Sequence, residues 1–552
     1  MGIPAYFRHI VKAHGAVLKK MKTLTNGVDN LYLDSNSFVY DAVSSVVPQI
    51  DGCDYENQLI SAVCDKIDHF ITFFNPRCKI MIAFDGVAPV AKMNQQRERR
   101  YKSWLTSELQ RKIEKGHKKP WNTSAITPGT NFMTLLHKGV SQYFALNDKV
   151  IVSSSFEPGE GEHKIFQYIR ENAEVHREQT TIIYGLDADL IMLCLCHLHV
   201  SEKIFLYKDV SEFIQNEEVM DYYVDILEFS HRLVEYMMGA EAEVGGKDVA
   251  SANNRIIDYI LICFMLGNDF MPHFPALNLR TIGIDLLLDT YRSVIGSKKN
   301  TFLTTRGVIS INWNNYLSFL DALSLKERDV FIQEHRKRDR LEESIRVRAH
   351  AVQQQQQQQQ QSAACISEWT LSSMDELTNV PILNREIEKF IHPIASGWER
   401  RYYESLFHVN KMTASLCKDI CVNYMEGLEW TIQYYTRGCI DWRWTYKYAY
   451  APLLSDLYAN ITTNNINSIR MNNDNVPVSP YVQLCYVLPQ PSLNLLPSAI
   501  ERALLNDPIM GKKYNTNHTM IWAYCKYFWE SHTELPDLPI HELERICSSV
   551  DI

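Results

Sequence analysis

The stretch Thr181-Ile-Ile-Tyr-Gly-Leu-Asp187-Ala-Asp189-Leu-Ile-Met-Leu193 joins a β-branched run to two acidic residues and then to an apolar segment. Residues at positions i and i+2 of a strand or extended loop face the same way, so Asp187 and Asp189 present their carboxylates side by side. Two carboxylates about 4 Å apart repel each other by roughly 4 kcal/mol at an effective dielectric of about 20. Such a pair therefore requires a raised pKa or a bound cation.

A second acidic pair lies upstream, where Glu160 and Glu162 occur in Phe156-Glu-Pro-Gly-Glu-Gly-Glu-His-Lys164. Carboxylate oxygens with no thiolate nearby favour magnesium or manganese over zinc. The chain has no Walker loop, dinucleotide-binding glycine motif or Gly-x-Ser-x-Gly, which weakens kinase, dehydrogenase and esterase interpretations. The two pairs predict a magnesium-dependent nuclease.

Five short β-branched or aromatic runs separated by segments of helical period predict a mainly parallel, doubly wound α/β sheet. They are residues 30–34, 79–85, 149–153, 181–187 and 204–207. Three of these runs end in aspartate, at Asp34, Asp85 and Asp187. Because open α/β sheets bind ligands beyond the carboxyl ends of their strands, we expect these three acids to meet at one edge.

A seventh acid, Asp269, follows a predicted buried helix over residues 255–266 that Gly267 closes. Any one acid alone is typical of a helix cap or a turn, whereas the set favours a shared metal site. Two magnesium ions about 4 Å apart activate water for in-line attack on phosphorus, so phosphodiester hydrolysis is the expected reaction. The seven candidate ligands are Asp34, Asp85, Glu160, Glu162, Asp187, Asp189 and Asp269.

A helix beginning just after Pro89 would place one amide and three cationic side chains on a single face. They are Lys92, Gln96, Arg99 and Arg100. A solvated basic helix is the alternative from spacing alone, but the position directly after Asp85 favours a phosphate site. Aromatic side chains that stack on single-stranded bases are expected at Tyr40 and within residues 442–450.

Composition indicates a globular protein of 552 residues, 46% hydrophobic, with a net charge of -9 that conceals a basic segment at 97–119. No apolar run reaches the ~18 residues of a membrane span. Thirteen cysteines without a disulfide-like rhythm favour a reducing intracellular compartment, the cytoplasm before the nucleus. The charged segment 325–349 predicts a solvated helix, and the glutamines from Gln353 to Gln361 predict a linker.

The motifs, taken in order, resemble those of the Xrn-type 5′-to-3′ exoribonuclease family. The stretches that carry the resemblance include Met1-Gly-Ile-Pro-Ala-Tyr-Phe-Arg8, Asn30-Leu-Tyr-Leu-Asp-Ser-Asn36, Ala83-Phe-Asp-Gly-Val-Ala-Pro89, Tyr184-Gly-Leu-Asp-Ala-Asp-Leu190, Gly267-Asn-Asp-Phe270 and Val487-Leu-Pro489. The resemblance covers most of residues 1–300 and resumes near 385. It indicates a compact member that carries only the family's two N-terminal conserved regions.

The resemblance implies a flap-nuclease-like (PIN) catalytic domain over 1–310, a charged helix and poly-Gln linker over 311–384, and a helical, aromatic-rich second region over 385–552 that completes the active-site channel. It implies processive hydrolysis of single-stranded RNA bearing a 5′-monophosphate to nucleoside 5′-monophosphates, in RNA decay. The seven acids would hold two magnesium ions, with manganese as a substitute.

By the same resemblance, the face formed by Lys92, Gln96, Arg99 and Arg100 would bind the terminal phosphate. Tyr40 stands where family members commonly have a histidine that stacks on the terminal base. Either Trp442 or Trp444 matches the inner stacking residue, and Trp442 is favoured. The protein is expected to act as a monomer on RNA, without a membrane.

Two other functions remain open from the sequence. The fold could serve as a catalytically silent RNA-binding or scaffold module, but the retention of all seven mutually repelling acids favours activity. A flap-endonuclease-like DNA nuclease would also use clustered acids. The basic helix after Pro89 and the tryptophan-rich second region argue against that alternative.

Overall fold

The computed structural model describes residues 6–24, 27–46, 55–114, 121–208, 222–238, 249–305, 307–352, 373–461 and 476–550. The segment Met1–Ala5 of the first motif and the glutamine tract lie outside these ranges. Within them, a seven-stranded sheet has the order β1-β7-β6-β5-β2-β3-β4. Its strands are β1 (Leu18–Lys20), β2 (Asn30–Asp34), β3 (Lys79–Ala83), β4 (Val150–Ser153), β5 (Thr181–Tyr184), β6 (Ile204–Lys208) and β7 (Tyr222–Asp225).

The five strands predicted from the sequence, β2 to β6, pair in parallel with one another. The predicted α/β class, a doubly wound and mainly parallel sheet followed by a helical region, is confirmed. Strands β7 and β1 extend one edge in antiparallel orientation and were not predicted. The Leu-Lys-Lys sequence of β1 is too short and too polar to show a strand pattern.

Helices of the first 310 residues cover both faces of the sheet. They are α1 (Tyr6–His14), α2 (Asn36–Ser45), α3 (Tyr55–Phe74), α4 (Val90–Ile113), α5 (Asn131–Tyr143), α6 (Gly161–Glu171), α7 (Ala173–His176), α8 (Asp189–Cys196), α9 (Ile226–Met238), α10 (Val249–Phe264) and α11 (Gly283–Tyr291). One face packs against α8 and α10, and the other against α2, α3 and α5. The order of the strands places a topological switch between β2 and β5. From β2 the chain continues to β3 and β4 at one edge of the sheet, and from β5 it continues to β6 and β7 towards the other edge.

Helices dominate the remainder of the described chain. They are α12 (Trp313–Val352), α13 (Met374–Leu383), α14 (Glu386–Ile391), α15 (Trp398–Leu406), α16 (Ala414–Arg437), α17 (Leu454–Asn460), α18 (Pro480–Val487), α19 (Ser498–Asn506) and α20 (Ile540–Ser548). A two-stranded ribbon, β8 (Met520–Ile521) with β9 (His532–Thr533), lies among them. Long apolar stretches of α16 pack into the same core as α8 and α10.

The predicted charged helix over 325–349 is present within α12, but only one face of it is solvated, and the other is buried. Val330 and Phe331 are buried in an aromatic cluster with residues of α15. Arg338 is also buried, and its guanidinium makes two hydrogen bonds to the Glu388 carboxylate, at 2.8 and 2.6 Å. Arg338, Asp339 and Glu342 form ion pairs with Glu388, Arg385 and Lys389, so part of the charge that suggested a solvated surface lies at a contact with the segment around α14.

Helix α10 begins six residues earlier than predicted and ends two residues before the predicted boundary. Gly267 follows with φ +88°, in the left-handed region, and a Cβ there would lie 2.9 Å from the backbone nitrogen of His273. Both conditions favour glycine, so the turn that carries Asp269 is closed tightly. Across the described ranges, none of the helices is long and apolar enough to cross a membrane.

Candidate active site

The seven candidate acids occur where strands end and helices begin. Asp34 is the last residue of β2, Asp85 follows β3 by two residues, and Asp187 follows β5 by three. Glu160 immediately precedes α6, and Glu162 lies in its first turn. The other two are Asp189, which begins α8, and Asp269, in the turn after α10. These joints meet at the carboxyl edge of the sheet, on both sides of the topological switch.

Asp85 is held by two hydrogen bonds from different segments. The backbone nitrogen of Gly161 donates to its Oδ1 at 2.7 Å, and Asn36 Nδ2 donates to its Oδ2 at 2.6 Å. A Cβ on Gly161 would lie 2.9 Å from Asp34 Oδ1, so the start of α6 approaches that carboxylate closely. The absence of a side chain at residue 161 therefore lets the acids of β2, β3 and α6 come together.

Lys92 joins two of the acids through its ammonium group. Its Nζ lies 2.5 Å from Glu160 Oε2 and 2.7 Å from Asp269 Oδ2, and all three side chains are buried. Burial by itself raises the pKa of Asp269, but the charge of Lys92, its hydrogen bond and further positive charges such as Arg99 together lower the pKa well below its usual value. Lys92 thus contacts the acids directly, although the sequence placed it only on the phosphate-binding face.

Electrostatic interactions show that the remaining acids share one region. Burial raises the pKa of Asp34 well above its ordinary value, and the carboxylates of Asp85 and Asp187 raise it further. Burial and the Glu160 carboxylate likewise raise the pKa of Glu162 well above its ordinary value. Burial and Asp269 raise the pKa of Asp189 to about 7. The structure therefore brings together the seven acids that the sequence singled out.

The donor set of this cluster fits a hard divalent cation. All seven side chains supply oxygen ligands, and burial together with neighbouring carboxylates raises the pKa values of Asp34, Glu162 and Asp189. In the ranges that the structure describes, no three or more His, Cys, Asp and Glu side chains already form a metal-holding group.

Lys208, in β6, is a second cation at the cluster. Its Nζ donates hydrogen bonds to the carbonyl oxygens of Leu186 and Asp187, the latter at 3.2 Å. Burial lowers the pKa of Lys208 to about 8, against the opposing charges of the acids. It holds the loop after β5 in the conformation that presents Asp187.

The four residues predicted to bind phosphate, Lys92, Gln96, Arg99 and Arg100, all lie on α4. Gln96 is buried like Lys92, and Arg100 donates to Gln96 Oε1 at 3.3 Å and to Thr127 Oγ1 at 2.8 Å. Burial lowers the pKa of Arg100 to about 10, and the adjacent Arg99 contributes in the same direction. These contacts are inconsistent with a fully solvated basic face.

The predicted stacking residues occupy different environments. Tyr40, on α2, is 41% exposed, and its interaction with Arg100 places it beside the α4 face. Trp444 is buried and stacks on Trp430 with ring centroids 5.2 Å apart. Trp442 is only partly buried, and its carbonyl oxygen accepts a hydrogen bond from Val90, the first residue of α4, at 2.9 Å. Trp442 is therefore more accessible to solvent than Trp444.

Several residues of the site were not identified from the sequence. Tyr434, on α16, donates a hydrogen bond to Glu160 Oε1 at 2.9 Å and stacks on the His163 ring, with the ring centroids 3.8 Å apart. Lys164 donates to the carbonyl oxygens that follow β3 and β4. Lys164 and Asn36 lie within the motifs quoted above, which was an available signal. Tyr434 lies 274 residues from its partner, and no local pattern indicates that contact.

Comparisons with known proteins agree with this geometry. A family model described as XRN 5′-3′ exonuclease N-terminus matches residues 1–208, and one described as Xrn1 helical domain matches residues 250–392 and 384–543. The chain is 28% identical to 5′-3′ exoribonuclease 1 of Saccharomyces cerevisiae, over 92% of this chain and 40% of the yeast protein. It is 28% identical to the human 5′-3′ exoribonuclease 1, over 92% of this chain and 32% of that protein.

A further relative is 5′-3′ exoribonuclease 2 of Arabidopsis thaliana, 27% identical over 97% of this chain and 66% of the plant protein. The chain thus spans between about a third and two thirds of the length of these relatives. The helical-domain match alone extends over more than half of the chain. The chain belongs to the Xrn family of 5′-3′ exonucleases, and this membership implies dependence on a divalent metal.

Proposed function

We propose that this protein is a processive 5′-to-3′ exoribonuclease that hydrolyses single-stranded RNA with a 5′-monophosphate, releases nucleoside 5′-monophosphates and acts in RNA decay. The observation that carries the proposal is the cluster of buried, mutually repelling carboxylates beside the cationic face of α4. A silent binding module would gain nothing from this cluster, because the five buried acids, Asp34, Glu160, Glu162, Asp189 and Asp269, each cost free energy to bury.

In the proposed mechanism, the seven acids hold two magnesium ions, or manganese as a substitute. Such ions, when bound, lower the pKa of a water and stabilise the leaving oxygen. The chain's own residues orient the ligands: Asn36 and the Gly161 amide fix the Asp85 carboxylate, and Tyr434 fixes that of Glu160. Fixed carboxylates reduce the reorganisation that metal binding requires.

Binding of the terminal phosphate is assigned to Lys92, Gln96, Arg99 and Arg100. Arginine suits this role because its planar guanidinium makes paired, charge-assisted hydrogen bonds to phosphate oxygens. Lys92 contacts Glu160 and Asp269, so the phosphate face adjoins the acids directly. A phosphate held there places the first phosphodiester near the cluster, which explains release of one nucleotide at a time. Tyr40 and Trp442 are proposed to stack on the first bases.

We also propose the domain boundaries 1–310, 311–384 and 385–552, a monomeric state and a location inside the cell, in the cytoplasm before the nucleus. The described cysteines are free thiols, which accords with a reducing compartment.

The decisive experiment compares three RNAs of one sequence that carry a 5′-monophosphate, a 5′-hydroxyl or a cap, each with a 3′ label, in magnesium. We expect stepwise release of mononucleotides from the 5′-monophosphate RNA and resistance of the other two. Equal decay of all three would contradict the phosphate assignment. The double variant Asp187→Ala, Asp189→Ala is the control: it should bind RNA without cleaving it, and retained turnover would contradict the proposed metal ligands.

A further inference from the structure

A glutamine of the second region lies directly behind the α4 face. Gln483, on α18, is fully buried. Its Oε1 accepts a hydrogen bond from the backbone nitrogen of Ala88 at 2.9 Å, and its Nε2 donates to Gln96 Oε1 at 3.3 Å. One carboxamide thus joins the turn between Asp85 and α4 to a residue of the phosphate face.

The backbone N–H of Ala88 fixes which atoms donate and which accept in these two hydrogen bonds. A backbone nitrogen only donates, so the Gln483 atom facing Ala88 must be its carbonyl oxygen. The amide NH2 group of Gln483 then faces Gln96, so the Gln96 atom that accepts its hydrogen bond must be the side-chain carbonyl oxygen. Arg100 imposes the same orientation independently, since its guanidinium also donates to Gln96 Oε1.

The Gln96 carboxamide is consequently fixed with its oxygen turned inward. Its Oε1 accepts from both Gln483 and Arg100, and no residue in the described ranges accepts a hydrogen bond from its Nε2. The opposite orientation would direct a carbonyl oxygen towards an anionic ligand and would repel it. The inward orientation leaves two N–H donors for phosphate oxygens.

We propose that Gln483 is a positioning residue for recognition of the RNA 5′-phosphate, acting by fixing the orientation of the Gln96 carboxamide. The inference rests on the proposed function, because it concerns the phosphate assigned to the α4 face there. Gln483 itself does not touch the substrate. Its effect on selectivity passes through Gln96.

The backbone of α18 is held independently of the Gln483 side chain. Gly129 has φ +91°, and a Cβ at that position would lie 2.9 Å from Pro480 and 3.1 Å from Leu484, so its loop packs closely on α18. The Tyr486 hydroxyl also bonds to Asn94 on α4. Removing the polar atoms of Gln483 should therefore leave the helix in place.

Two variants test the proposal. Gln483→Met keeps the length of the side chain and removes both hydrogen bonds, whereas Gln483→Glu keeps an acceptor for Ala88 and loses the donor to Gln96. For each, kcat and KM are measured on RNA with a 5′-monophosphate and on the same RNA with a 5′-hydroxyl. We expect the ratio of the two kcat/KM values to fall about tenfold or more, mostly through a higher KM for the phosphorylated RNA.

The matched control is Tyr486→Phe, which removes a hydrogen bond between the same two helices, away from Gln96. It should leave the preference for the 5′-phosphate unchanged. A purely structural role for Gln483 would lower kcat/KM equally on both RNAs, and that result, or an unchanged preference in Gln483→Met, would overturn the inference.

A double-mutant cycle with Gln96 tests whether the effect of Gln483 passes through Gln96, independently of any loss of stability in a single variant. In Gln96→Leu the oriented carboxamide is absent, so adding Gln483→Met should cause little further loss of phosphate preference. Fully additive losses would contradict a role that passes through Gln96. A wild-type enzyme with no preference for the 5′-phosphate would overturn the proposed function itself, and that is seen before any variant is compared.

Discussion

At the scale of single residues, the buried contacts of Lys92 with Glu160 and Asp269 lead to a stability prediction. Lys92→Met keeps the apolar stem but leaves two buried carboxylates without their cation. Removing one partner of a buried ion pair typically destabilises a protein by about 3–5 kcal/mol. We expect a loss of this size in urea unfolding at neutral pH without magnesium, and partial recovery when magnesium is added, because a divalent ion supplies the missing charge.

Lys19→Met is the matched control for this prediction. Lys19 pairs with Asp225 at 2.7 Å, but its side chain is 38% exposed. An exposed pair contributes no more than about 1 kcal/mol, and magnesium should not alter the result. Similar losses in the two variants, or no response of Lys92→Met to magnesium, would contradict the view that Lys92 balances the charge of the acids.

At the scale of elements, the joint between β3 and α4 depends on Gly86. A Cβ at this position would lie 1.7 Å from the backbone carbonyl oxygen of Glu157, so the turn that carries Asp85 would have to move. We expect Gly86→Ala to lower kcat at least tenfold with Asp85 displaced, and to destabilise the protein by about 1–3 kcal/mol. Gly15→Ala is the control, since nothing lies within 4 Å of its Cβ position. Equal activity of the two variants would contradict the prediction.

The elements also show what the sequence could and could not predict. The parallel strands were predictable because each is a short β-branched run, and the acids because they follow those runs or border glycine-rich turns. The edge strand Leu18–Lys20 lacks that pattern, whereas Tyr222–Asp225 has an aromatic and β-branched sequence and was still not predicted. Contacts such as Tyr434 with Glu160 and Gln483 with Gln96 join residues hundreds of positions apart, so no local periodicity encodes them.

At the scale of the whole molecule, the second region contacts the carboxyl edge of the sheet, where the seven acids lie. Tyr434 bonds to Glu160, and the carbonyl oxygen of Trp442 accepts the first backbone N–H of α4. Further along α4, Arg97 donates to the carbonyl oxygen of Pro536 at 2.8 Å. Helix α16 shares a core with the sheet helices α8 and α10. These shared contacts indicate that the acids and the second region unfold together.

Magnesium provides a test of that coupling. All seven acids precede residue 270, whereas only Trp104 and Trp121 of the ten tryptophans precede residue 310, so tryptophan fluorescence mainly reports on the later part of the chain. A ligand that binds only the native state stabilises whatever unfolds with its site, by about 1.4 kcal/mol for each tenfold excess over Kd. We therefore expect magnesium to raise the unfolding midpoint equally when it is followed by fluorescence and by far-ultraviolet circular dichroism.

The controls separate specific binding from screening and from independent unfolding. Sodium chloride at matched ionic strength should not reproduce the shift, because screening acts on exposed charges more than on a buried cluster. The double variant Asp187→Ala, Asp189→Ala should lose the shift in both signals, since it removes two of the proposed ligands. A magnesium shift seen by circular dichroism but absent from fluorescence would mean that the second region unfolds separately. The hydrogen bonds from Tyr434 to Glu160 and from Val90 to the Trp442 carbonyl oxygen would then be too weak to couple the second region to the carboxyl edge of the sheet.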